Sequence, residues 1–341
     1  MVALPTSMKR VLLAIVLMAM LCAVGLWQAL STYRQAALPL EAGPVRVRIE
    51  RGAGLIAIAR TVADARVGFP AWQFIAAAWL RGDAGRIKAG VYELSAPITR
   101  RALIDKLVRG DVLMAELRVI EGWTFRQMRR AIAEHPDLVP ESAALDDRDL
   151  LRRIGAPEEH PEGLFMPSTY RFAPGSSDLE VYRQSYRLLR RTLDEAWAAR
   201  SASVPLAQPY EALILASIIE KETGRDADRG KVAAVFVNRL RKGMMLQSDP
   251  TTIYGLGDRF DGNLRRIDLR TDTPYNTYTR HGLPPTPIAL PGRASLAAAL
   301  NPEPFPALYF VARGDGSSEF SSDLAAHNRA VERYQRRGGG S

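Results

Sequence analysis

The sequence predicts an α+β fold in three parts: one N-terminal transmembrane helix, a small strand–helix–helix–strand subdomain, and a larger mixed α+β domain. Three observations predict it. Residues 11–30 are almost continuously apolar, broken late by Gln28. Val45, Val47 and Ile49 alternate with Arg46, Arg48 and Glu50, the period of a half-buried strand. Beyond Thr124, apolar residues recur at helical spacing between turn-rich stretches.

The apolar run is about as long as a bilayer crossing requires, roughly 20 residues. A cleavable signal peptide has a shorter apolar core, and Ala29-Leu30-Ser31 is only a weak exit site. An uncleaved anchor at 11–30 is therefore expected. Lys9 and Arg10 before it hold residues 1–10 in the cytoplasm, and Arg34 beyond it weakens that asymmetry. The remainder is expected outside the membrane. Residues 31–44 read as a tether.

Residues 45–110 read as one compact subdomain. Leu55, Ile58, Ala59 and Val62 repeat at helical spacing. Pro70 opens a second helix, whose Trp72, Ile75, Ala76, Trp79 and Leu80 share one face. Residues 90–94 return as a strand. Thr99 caps a further helix that Gly110 closes. This order is similar to a LysM-like glycan-binding module; a packing subdomain without a ligand fits the same pattern.

The larger domain, 111–337, opens on the alternation Leu113, Ala115, Leu117, Val119. Thr124 and Gln127 have capping-box spacing. Residues 135–161 are charged and read as loop. Phe165 and Tyr170 lie in an aromatic, turn-rich stretch that fits either a groove wall or a covering loop. Residues 179–199 read as a long amphipathic helix. Pro209 starts another, ending at Thr223 with Gly224 as its cap, and Asp226 caps the next. Residues 249–291 are turn-rich, stiffened by Pro284, Pro285 and Pro287. A hairpin follows around Gly314-Asp315-Gly316, then a helix capped by Asp323. Residues 338–341 read as a flexible tail.

The charge of +9 asks for acidic company: nucleic acid, anionic lipid or wall-peptide carboxylates. No Lys/Arg block with interleaved aromatics is present, so nucleic acid is not expected. The lone Cys22 allows neither an internal disulfide nor a cysteine zinc site, and no cofactor is expected. The four histidines show no His-Glu-x-x-His spacing, and no Gly-x-Ser-x-Gly elbow or phosphate-binding glycine loop occurs.

The chemistry concentrates in Ile218-Ile219-Glu220-Lys221-Glu222-Thr223-Gly224. On a helix, Glu222 shares a face with Leu215, Ile218 and Ile219, while Glu220 lies about 200° around. Desolvation and a helix C-terminus both raise a carboxyl pKa. Glu222 is thus a candidate general acid for a glycosidic oxygen. An ion pair with Arg225 is the structural alternative. A glycoside hydrolase would want a second carboxylate, for which Glu162, Asp249 and Asp261 are the candidates.

These residues resemble the endolytic murein transglycosylases, the MltG/YceG-like family. The resemblance rests on Ala216-Ser217-Ile218-Ile219-Glu220-Lys221-Glu222-Thr223, Val237-Asn238-Arg239-Leu240, and Leu246-Gln247-Ser248-Asp249-Pro250-Thr251. Ile253-Tyr254-Gly255, Tyr275-Asn276-Thr277-Tyr278, Gly282-Leu283-Pro284-Pro285, Pro291-Gly292 and His327-Asn328 extend it. One departure is Ser168, where the family usually carries an acid. The resemblance implies lytic cleavage of the β-1,4 bond between N-acetylmuramic acid and N-acetylglucosamine, leaving 1,6-anhydro ends. It implies Glu222 as the one catalytic acid, so that no second carboxylate is needed. Gln247, Asp249, Tyr254, Tyr275, Asn276, Thr277 and Asn328 become candidate substrate contacts. The partners implied are peptidoglycan strands and peptidoglycan synthases or other wall-assembly proteins. A non-catalytic wall-binding scaffold and a hydrolysing muramidase are the rivals.

Overall fold

The computed structural model describes residues 6–40 and 43–336. The tail expected at 338–341 and the first five residues lie outside them. The mixed α+β class is observed, in two compact units, Met1–Ala115 and Glu116–Ser341.

The first unit begins with α1 (Thr6–Gln35). Among the described residues no helix is long and apolar enough to cross a membrane. Several α1 side chains, including all of 6–14, lie outside the described set. The tether expected at 31–44 is partly structured instead. The helix continues to Gln35, Ala37 bridges to Thr99, and Leu38 is buried with its N–H donating to Ile98 O at 2.7 Å. An apolar Leu38 gains more from the core beneath it than from solvent, which makes the segment a docked strap.

The strands β1 (Val45–Ile49) and β2 (Gly90–Leu94) pair antiparallel, Val47 opposite Tyr92. Between them run α2 (Leu55–Asp64) and α3 (Ala71–Leu80), and α4 (Arg100–Arg109) follows. Thr99 caps α4 by accepting from Ala102 N at 3.1 Å. The core gathers Val47, Ile58, Val62, Phe74, Tyr92 and Leu103. The α3 face carrying Trp72, Trp79 and Leu80 points outward, while Phe74 and Ala78 point in. A helix apolar on every side leaves the choice of buried face to its neighbours.

The second unit opens on β3 (Ala115–Arg118), a few residues past the boundary expected at 110. Asp111 to Met114 lead back over the first unit, where Leu113 N donates to Val91 O at 2.6 Å. Next come α5 (Phe125–Ala133), β4 (Leu138–Val139) and α6 (Asp147–Ile154). The Thr124–Gln127 capping box forms in full. The expected loop at 135–161 thus contains a helix, capped by Asp146 and burying Leu150, Leu151 and Ile154. Strands β5 (Thr169–Phe172) and β6 (Ser176–Ser177) pair with β3 and with β4.

The long α7 (Asp178–Ala198) packs on α8 (Pro209–Glu222), which α9 (Asp226–Arg241) follows. Then come α10 (Asp249–Leu256), α11 (Arg266–Arg270), α12 (Arg293–Leu300), the hairpin β7 (Tyr309–Ala312) and β8 (Ser318–Ser321), and α13 (Leu324–Val331). The turn-rich reading of 249–291 missed α10. Pro250 sits in its first turn, where a missing N–H costs nothing.

Helix α8 is the axis of this unit. Ala212 through Ile219 are all buried, so no face of it is solvated. Gly163 holds the adjoining aromatic loop, whose Phe165 stacks on Phe125 at 5.3 Å. Its φ is +78°, and an added Cβ would lie 2.4 Å from the Pro287 ring. Gly163→Ala is expected to cost roughly 2–4 kcal/mol through strain and overpacking. A thermal melt checks this, with a drop of at least about 5 °C expected.

Candidate active site

Helix α8 ends by running straight out of its core. Its cap is Thr223, with extended φ of −149°, rather than Gly224 in a left-handed turn. Glu222 is thereby the last helical residue, half-buried at the rim of an apolar bundle. Burial pushes its carboxyl up to about 7. The Ser248 hydroxyl opposes that shift, nearby Asp249 adds to it, and Arg239 lowers it slightly.

Ser248 Oγ donates to Glu222 Oε1 at 2.6 Å. Among the described residues Glu222 has no ion pair, so the alternative partner Arg225 is not engaged with it. Sequence reasoning passed over Ser248. It is almost fully buried, and its N–H donates to Thr277 Oγ1 at 3.0 Å. A buried serine two residues before a helix-opening proline was the available signal.

The loop that carries Ser248 is braced from two sides. Arg239 Nη1 donates to Leu246 O at 2.6 Å and its Nε to Leu308 O at 2.7 Å. Gln247 N donates to Thr277 O at 3.0 Å, with Gln247 itself at φ +51°. A non-glycine residue in that region is strained, and such strain gathers at functional sites. The Gln247 side chain is exposed beside Glu222's partner.

The expected contact residues divide into two groups. Gln247 and Asp249 are exposed at the start of α10, where Tyr278 Oη donates to Asp249 Oδ1 at 2.6 Å. Tyr254 and Tyr275 are partly exposed, with ring centroids 4.9 Å apart. Their hydroxyls are engaged, Tyr254 donating to Glu162 Oε2 at 3.1 Å and Tyr275 sharing a bond with Thr286 Oγ1 at 2.9 Å.

Asn276 and Thr277 do not belong among surface contacts. Asn276 is fully buried, its Nδ2 directed at the carbonyls of Asp268, Leu269 and Thr271 and its Oδ1 accepting from Tyr278 N at 2.9 Å. Thr277 is also buried, its Oγ1 2.8 Å from Thr251 Oγ1. Both spend their polar groups holding the wall behind the site. Asn328 is exposed on α13, and no hydrogen bond among the described residues ties it to Glu222.

Of the proposed second carboxylates, Asp261 is a surface group paired with Arg265. Glu162 is buried, accepts from Phe125 N at 2.9 Å, and is pushed up to about 7 chiefly by burial. It links the start of α5 to α10. Glu220, expected about 200° around the helix from Glu222, accepts from Gly292 N at 2.9 Å, with Glu121 packed against the same glycine. Asp249 acts on Glu222 as a neighbouring negative charge.

The YceG-like family profile matches residues 47–333. An endolytic murein transglycosylase of Bacillus subtilis is 35% identical over 271 residues, which cover 74% of each chain. Its counterpart in Streptococcus pneumoniae is 25% identical over 73% of this chain, which spans about half of that relative's length (51%). The crystal structure of a yceG-like protein from Listeria monocytogenes aligns with a TM-score of 0.55 at 29% identity. That alignment covers 85% of this chain and 100% of the other. With a match that spans both the small unit and the Glu222 site, this chain belongs to the YceG-like family.

Proposed function

We propose that this protein is an endolytic murein transglycosylase, a lyase acting within peptidoglycan strands, with Glu222 as its acid and base. Its similarity to named murein transglycosylases supports the activity. The observation that carries the role of Glu222 is its carboxyl at about 7, in no ion pair among the described residues and bonded to a serine hydroxyl. At neutral pH about half of such groups hold the proton, ready to give it away.

The bond cleaved is the β-1,4 link from C1 of N-acetylmuramic acid. Glu222 gives its proton to the glycosidic oxygen as the C1–O bond breaks, and the N-acetylglucosamine side leaves as an alcohol. The carboxylate left behind takes the proton of the sugar's own C6 hydroxyl while O6 closes on C1. The 1,6-anhydro ring forms, Glu222 is protonated again, and water is not consumed. One carboxyl completes the cycle, so the engaged states of Asp261 and Glu162 are no obstacle.

Gln247 and Asp249 are the substrate contacts this reading favours, with the Tyr254 and Tyr275 rings offering aromatic faces to sugar C–H groups. Asn328 lies at the margin of the same proposal. The anchor belongs to it too. From Ile15 to Trp27 the described apolar side chains of α1 are exposed, Leu21 at 72% and Trp27 at 71%. A helix that is apolar and uncovered suits lipid better than water. The enzyme then works from the outer face of the bacterial inner membrane, where synthases release new strands. The strand–helix–helix–strand order of the first unit supports its LysM-like reading.

Mass spectrometry of digested sacculi tests the activity. Anhydro ends on internally cut strands are expected; reducing ends would make the protein a hydrolase, and undigested strands would make it a scaffold. Ser248→Ala checks the site. It removes a donor that favours the ionised carboxyl, so the falling limb of the pH–rate profile should move up by roughly one pH unit.

A further inference from the structure

We infer that the outward face of α3, with the arginines around it, docks on the anionic headgroup layer of the membrane. The inference rests on the anchor reading of α1.

The face is built for contact. Trp72, Trp79 and Leu80 are 70%, 72% and 68% exposed, beside a core that buries Phe69, Phe74, Leu103 and Ile104. Trp72 and Leu80 line a cavity of about 630 Å³ together with Arg81, Arg86, Arg100 and Arg101. These four cations face two aspartates. Asp83 bonds Arg81 at 2.8 Å and Arg86 at 3.1 Å, and Asp105 holds Arg81 and lies 3.8 Å from Arg101. Among the described residues no acid pairs with Arg100; its guanidinium lies 4.0 Å over the Tyr33 ring. The cluster therefore keeps a positive excess beside bare indoles. That combination suits an interface in which tryptophan rings sit at headgroup level and cations meet anionic lipid.

The position of the cavity selects lipid as the occupant. Tyr33 belongs to the last turn of α1 and also lines the cavity. Its hydroxyl bonds Gln73 on α3, and Arg100 Nη1 donates to its carbonyl at 3.3 Å. Trp27 precedes Tyr33 by six residues, about 9 Å along a helix axis. The polar layer on one side of a bilayer is roughly 5–7 Å deep. A helix that leaves the hydrocarbon near Trp27 thus brings Tyr33, and the α3 face pinned to it, to the outer edge of the headgroup layer.

Site-directed spin labels on the full chain in vesicles test this. One label goes on native Cys22, which is exposed on α1; the other on Ala76→Cys, on the exposed α3 face, in a Cys22→Ser background. In phosphatidylglycerol-containing vesicles both labels should favour oxygen over a water-soluble collider. The Ala76 preference should fall by about twofold or more in purely zwitterionic vesicles. Trp72→Ser with Trp79→Ser and Leu80→Ser should remove it while the Cys22 signal stays. An aqueous Ala76 label beside a lipid-buried Cys22 label overturns the docking and leaves the anchor. An aqueous Ala76 label that is immobilised by soluble glycan strands assigns the face to sugar instead. Equal immersion in both lipids removes the anionic preference. An aqueous Cys22 label overturns the anchor and the docking together.

Discussion

Glu222→Gln is expected to lower anhydro-end formation by about a thousandfold or more, the scale of losing a general acid. The amide oxygen still accepts from Ser248, so the fold should persist. Its stability should respond to pH in a set direction. The folded carboxyl holds its proton to about 7, whereas an unfolded one releases it near 4.5. A raised pKa favours folding fully below the unfolded value, and that advantage fades as pH rises to the folded one. Above 7 the wild type carries an ionised carboxylate at an apolar helix end, which the glutamine variant avoids. The variant should therefore be more stable at pH 8 by on the order of 2 kcal/mol, discounted for partial exposure, with no gain near pH 4. Denaturant titrations at both pH values check the sign. Glu220→Gln is the control. Its oxygen still accepts from Gly292 N, so activity should survive.

Asn276→Ala is expected to be the most damaging change behind the site. Three backbone carbonyls and the Tyr278 N–H lose their partner at once in a fully buried position. Orphaned buried groups cost about 1–3 kcal/mol each, so a loss of at least roughly 3 kcal/mol is anticipated. A melt should fall by about 6 °C or more. A variant with an unchanged melt and reduced activity would instead return Asn276 to the substrate face.

What the sequence made legible was local. Caps such as Thr99 and the Thr124–Gln127 box, and the start of α8 at Pro209, are set by residues within one turn of each other. The acid at Glu222 was legible for a related reason: a carboxylate at the end of so apolar a helix has few structural excuses. What remained hidden was decided at a distance. α3 is apolar all round, and only its neighbours determine that Phe74 is buried and Trp72 exposed. Asn276 looks like a surface polar residue until the carbonyls of 268–271 are folded over it. Ser248 meets Glu222 across 26 residues. The helix α6 is a different case. Asp146, the triplet Leu150, Leu151 and Ile154, and Gly155 carry its signal, but its charged neighbours masked the periodicity.

The central claim is that one carboxyl, kept protonated by its surroundings, serves as both acid and base. Infrared difference titration between the wild type and Glu222→Gln reads that group alone. A protonated carboxyl band lost with a midpoint near 7, tracking the fall in rate, is the expected result. A midpoint near 4.5, the ordinary value for glutamate, would contradict it.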